Sequence, residues 1–186
     1  MQSEQLIQTL IDQTRQNIKQ VEKLCNEDLK TLTWKENPTS WSILECLEHL
    51  NLYGDFYLPE IDRKIKDSDS KSEDTFKSGL LGNYFAQSML PKEKLNKMKT
   101  FKDKNPLNAN LDTAVIDRFL NQQIKLLKLL EQSRNVNLNK IRIEISITSL
   151  IKLKLGDTFQ FFTNHIIRHL AQIDKIKYNQ KSNSNF

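Results

Sequence analysis

The sequence predicts an all-α fold, a four-helix bundle with long crossover connections. Three observations carry that prediction. Four long stretches place apolar residues at the i, i+3, i+4, i+7 spacing of a buried helical stripe. Gly and Pro number only four each, which leaves room for long helices and argues against a turn-rich sandwich or barrel. The chain of 186 residues fits one domain with enough length to bury a core. That domain is placed at 1–180, with a polar C-terminal tail at 181–186.

The first helix is read over 4–25. Ile7, Leu10, Ile11, Ile18, Val21, Leu24 and Cys25 form its buried stripe, Thr14 fills the gap, and Ser3 is the expected N-cap. A connector over 26–41 follows, because Pro38 disfavours helix at the residue before it. Ser42 with Glu45 three residues on is a capping box, so the second helix starts there. Its stripes are Ile43, Cys46, Leu47, Leu50, Tyr53 and Tyr57, flanked by Glu45, His49, Leu52 and Phe56. Pro59 is expected to kink that helix without ending it, since Ile61 and Ile65 keep the period.

Residues 67–78 are rich in Asp, Ser and Lys and nearly devoid of apolar residues, which predicts a solvated loop and a candidate for disorder. Residues 79–90 predict a small helix across the bundle, and 91–111, with Pro91 and Pro106, a long irregular crossing. Asp112 is the expected N-cap of the third long helix, whose buried face is Val115, Phe119, Ile124, Leu126, Leu127 and Leu130, ending near Arg134. Residues 141–147 alternate strictly and resemble a strand. With no evident partner strand, an extended connector is the expectation. Gly156-Asp157 opens the last helix, Thr158 to about Tyr178, with Phe162, His165, Ile166, His169, Ile173 and Ile176 on its inward half.

Composition narrows the function. The formal charge of +5 comes from scattered lysines and the tail, not from a dense block, so a nucleic-acid partner is disfavoured. No window reaches the apolar length of a membrane span, and the first residues lack the features of a secretory signal. A cytoplasmic location is the expectation. Cys25 and Cys46 show no CxxC spacing and read as buried small hydrophobes in a reduced compartment.

The chain has three histidines, and their placement is its most informative chemistry. His165 and His169 are four apart on one helical face, close enough for two imidazoles to share a metal ion. His49 lies on another amphipathic helix. Three histidines are a common ligand set for Zn²⁺ with one open coordination position, and imidazole also suits Ni²⁺ and Fe²⁺. The competing reading is three hydrogen-bonded core histidines, and spacing alone leaves both standing. Glu45 reads as the cap, or as an acceptor orienting His49. Gln172 either lines the pocket or bonds a neighbouring turn. Arg168 is expected to point away into solvent, and Trp41 to anchor the helix start by packing.

Trp41-Ser42-Ile43-Leu44-Glu45-Cys46-Leu47-Glu48-His49-Leu50 resembles the W-S-x-x-E-x-x-x-H-L signature of the DinB/YfiT-like superfamily. Lys97-Met98-Lys99-Thr100-Phe101 resembles its K-M-K-T crossing, and His165-x-x-x-His169-Leu170-Ala171-Gln172-Ile173 its closing helix. The resemblance implies a four-helix bundle, often a homodimer, with a divalent metal on His49, His165 and His169. It implies a small-molecule substrate less sharply. Relatives include thiol S-transferases using low-molecular-weight thiols, relatives of maleylpyruvate isomerase, and many members described only as metal-dependent hydrolases. A metal enzyme is the leading reading. A non-catalytic metal-binding or structural dimeric bundle is the alternative.

Overall fold

In the computed structural model, which describes residues 1–91 and 100–183, four long helices form the bundle. They are α1 (Ser3–Glu22), α3 (Ile43–Lys66), α5 (Ala114–Gln132) and α6 (Leu155–Asn183), with the short α2 (Leu29–Thr33) and α4 (Leu80–Ser88) in the connections. α1 and α3 each pack against both α5 and α6, so the four close a ring around one core, and α4 lies against α6. Phe119, Phe159, Phe162, Leu44 and Leu126 are all within 1% of full burial there. Large side chains so enclosed supply the main favourable term in folding.

The helix starts follow local chemistry. Ser42 caps α3, its hydroxyl accepting from the Glu45 N–H while the Glu45 carboxylate accepts from the Ser42 N–H, which completes the capping box. Pro59 sits inside α3, which runs on to Lys66. Asp112 does accept from the Ala114 N–H at 2.9 Å, although α5 begins one residue later than its cap would place it, after Thr113. At the N-terminus Ser3 is not the cap. Gln2 holds that position, and Ser3 is already helical, its N–H donated to the Asp74 carbonyl.

Several expectations are corrected. Residues 141–147 are not a lone connector: β1 (Arg142–Ile145) pairs antiparallel with β2 (Thr148–Lys154), with an irregularity between Glu144 and Ile145. The partner escapes a hydrophobic search because most of β2 is exposed or half-buried, while its backbone groups still satisfy those of β1. Residues 67–78 are not a free loop. Phe76 is buried, its N–H and carbonyl bond Met1, and Asn139 accepts from the Lys77 N–H and donates to the Thr75 carbonyl. Ile124 is exposed, because it lies about 140° around the helix from Phe119, and buried Gln123 takes the inward position. Cys25 is exposed while Cys46 is buried. The α-helical phase stops at Glu22, and Cys25 falls in a tighter 3₁₀ turn, Lys23–Asn26.

α6 starts earlier and ends later than periodicity suggests, so Gly156-Asp157 lies in its first turn. The backbone passes close to a side chain there: a Cβ on Gly156 would meet the Phe76 ring at 2.5 Å. Of the long crossing, residues 100–111 hold one 3₁₀ turn, Lys102–Lys104. Lys97, Met98 and Lys99 of the crossing motif lie outside the described residues, as do 184–186 of the tail. No described helix is long and apolar enough to cross a membrane.

Candidate metal centre

α3 and α6 face each other across the bundle, and that contact carries His49 onto the His165/His169 face. All three rings are buried, at 3%, 5% and 8% exposure. The ligand nitrogens all lie within 4.8 Å of one another. Nε2 of His165 is 3.2 Å from Nε2 of His49 and 3.0 Å from Nε2 of His169. Tetrahedral coordination at a Zn–N bond of about 2.05 Å puts ligand nitrogens about 3.3 Å apart, so the spacing is that of a coordination shell.

The far side of two rings is held. His49 Nδ1 lies 2.6 Å from the Lys104 carbonyl oxygen, an obligate acceptor, so Nδ1 carries the proton and Nε2 presents a lone pair to the centre. His169 is held by Gln172, with Nδ1 3.0 Å from Oε1. With that amide oxygen as acceptor, His169 too turns an unprotonated Nε2 inward. His165 can place at most one proton between two lone pairs, and its own Nδ1 is buried without a hydrogen-bond partner. As three core histidines the group satisfies itself poorly. As three ligands to a cation every inward lone pair is used.

Electrostatics favours the neutral ligand form. Burial, the largest cause, lowers His49 to about 4 and His169 to about 3, and it lowers His165 well below the ordinary imidazole value. The neighbouring imidazoles and the Arg168 guanidinium push His165 and His169 further in the same direction. Neutral imidazole is the form that binds metal.

Above the histidines opens a cavity of about 880 Å³. Trp34, Trp41, Tyr53, Tyr84, Phe85 and Phe161 are among its walls. Trp41 is more than a packing anchor, since its ring centroid lies 4.7 Å from that of His49 and 5.8 Å from that of His169. Tyr53 packs edge-on against His165 at 4.6 Å, and burial pushes its hydroxyl up to about 12, so it stays protonated.

The structure decides three assignments beyond the histidines. Glu45 does not orient His49; beyond its cap it pairs with Lys35 at 2.6 Å and accepts from the Asn108 N–H. The Lys104 carbonyl does that work instead, and a backbone oxygen leaves no mark in a sequence. Arg168 does not point into solvent: it is 8% exposed and lines the cavity. Gln172 lines the cavity, as one of its two readings had it, and its hydrogen bond goes to the His169 ring. Cys46 is fully buried, and burial raises its thiol pKa, so it is no nucleophile.

The chain matches no curated protein and no solved structure at significant similarity. The profile of the DinB superfamily matches residues 10–173, a span that includes all three histidines of the cluster and all four bundle helices in whole or large part. The helical bundle, the buried three-histidine cluster and that match together make this chain a member of the DinB superfamily.

Proposed function

We propose that the protein is a metal-dependent enzyme acting on a small molecule, as a hydrolase or as a transferase using a low-molecular-weight thiol. The observation that carries the reading is the convergence of three neutral imidazoles, two of them oriented by hydrogen bonds, on the floor of a cavity of small-molecule size. A divalent ion, Zn²⁺, Ni²⁺ or Fe²⁺, when bound there supplies Lewis acidity and lowers the pKa of a water or thiol taking its open side. The chain's own part is preorganisation. The Lys104 carbonyl and Gln172 fix two rings, and the aromatic walls limit water around the reacting groups.

Metal content tests this directly. Purified protein, incubated with Zn²⁺ and Ni²⁺ and desalted, is expected to hold stoichiometric metal. His169→Ala is expected to lose it while keeping its helical circular dichroism, together with any thiol-transfer or ester-hydrolysis signal. A wild-type chain that retains no stoichiometric metal overturns the proposal.

A non-catalytic metal-binding bundle is the second reading. It is favoured by one feature: among the described residues lining the cavity the only carboxylate, Glu36, is exposed and accepts from Asn179 at 3.4 Å. That leaves no buried general base beside the histidines. Metal bound at full occupancy without turnover of any thiol or ester substrate supports it. The family resemblance also supports a homodimer, which light scattering on the eluting protein tests.

A further inference from the structure

Phe161, His165 and His169 repeat every four residues along α6, so their rings share one face of that helix. Phe161 lies nearly parallel to His165, with 20° between planes and 6.0 Å between centroids, and His165 meets His169 edge-on at 4.7 Å. Other elements extend the row at both ends. Phe161 contacts Phe85 of α4 at 6.3 Å, Phe85 contacts Tyr84 at 5.8 Å, and Trp41, just before α3, contacts His169 at 5.8 Å. All six rings line the cavity, so a continuous belt of ring faces and edges runs from Tyr84, which is 67% exposed, to the histidines. Both signs of charge occur in the lining, with Glu36, Arg168 and Lys175, so charge selects no single class of guest. The rings do select. A flat aromatic guest meets them in offset-stacked or edge-on geometry, a gain beyond the area it buries, whereas a saturated guest of the same outline gains only the area.

We infer that the cavity takes planar, fused-ring aromatic compounds as its ligand class, recognised by the ring belt of Tyr84, Phe85, Phe161 and Trp41. This deepens the proposed function by naming its substrate class, and it rests on the same cavity serving as the substrate site. The volume of about 880 Å³ lies in the range of cavities that enclose a drug-sized guest.

Equilibrium dialysis of the full-length chain, metal-free and Zn²⁺-loaded, against β-naphthol and against decahydro-β-naphthol tests this. The second probe keeps the fused frame and the hydroxyl and has no π-system. By apolar area alone the saturated compound, with more C–H surface, should bind at least as well. The expected result is the reverse: β-naphthol binds about tenfold more tightly, in both forms of the chain, as a few ring contacts together supply. Phe161→Leu keeps an apolar side chain and removes the ring at the centre of the belt. It is expected to bring the preference down to about threefold or less, with decahydro-β-naphthol still binding within about twofold of wild type. Equal or tighter binding of the saturated compound, no saturable binding of either, a preference present only with Zn²⁺ bound, or a preference unchanged in Phe161→Leu overturns the inference. Should Phe161→Leu fail to fold, the wild-type comparison and Phe85→Leu, at the next ring of the belt, still decide it. Failure of the metal reading shows in metal content, whereas failure here shows in the probe preference of the metal-free chain.

Discussion

Gln172 gives the sharpest test of the proposed metal centre, because it touches a proposed ligand without being one. Its Oε1 accepts from His169 Nδ1 at 3.0 Å, and that single bond sets the tautomer that leaves Nε2 free. Removing such a partner typically weakens metal binding 10- to 100-fold. Here the loss is expected near the lower end, about tenfold or about 1.4 kcal/mol. The ring stays confined by Trp41 at 5.8 Å and by His165 at 4.7 Å between centroids, so only the proton's position is released. Gln172→Ala should therefore raise the Zn²⁺ dissociation constant about tenfold in a competition titration against a chromophoric chelator. Gln172→Glu supplies a stronger acceptor, makes His169 a more basic ligand, and should bind at least as tightly as wild type. Thermal melts of both metal-free variants check that the fold is intact. Wild-type affinity in Gln172→Ala, or a loss in Gln172→Glu as large as in the alanine variant, refutes the claim that this bond orients the ligand.

Two further outcomes follow from burial and close packing. Acidification should destabilise the metal-free chain between pH 6.5 and about 4. In that window the unfolded chain protonates its histidines while the folded chain holds His49 neutral down to about 4, so the unfolded state binds more protons and stability falls as pH falls. His49 alone accounts for about 3 kcal/mol of that loss. Urea midpoints across the window should drift much less in His49→Gln, and equal drift in both chains counts against the assignment. At the glycines, Gly156→Ala drives a methyl into the buried Phe76 ring and should cost about 1–3 kcal/mol. Gly54→Ala meets only the end of the Gln122 side chain, which can swing aside, so it should stay within about 1 kcal/mol of wild type. Equal melting shifts for the two would show the backbone, not Phe76, to be responsible.

Legibility tracked the range of the interaction. The Ser42/Glu45 box was readable because its partners are three residues apart. The stripes of α1 and α3 were readable because burial repeats with the helical period. Where the period breaks, reading along the chain misleads, as at Cys25 in its 3₁₀ turn and at Ile124, displaced by Gln123. β2 was missed because its side chains face mostly outward, and only its backbone pairs with β1. Arg168 escapes a reading that gives α6 one inward half, because α6 has the core against one half and the cavity against another.

From residues alone came four amphipathic helices, the Ser42/Glu45 cap, and two histidines sharing one face of the last helix. Those are properties of neighbours in the chain, fixed by a repeat of 3.6 and by short-range hydrogen bonds. Folding alone decided that His49 Nε2 meets His165 Nε2 across 116 residues, that the Lys104 carbonyl holds His49 from 55 residues away, and that Arg168 lines the space above them. Such contacts depend on how helices register against one another. That register is set by the sum of the core packing, and no single segment carries it.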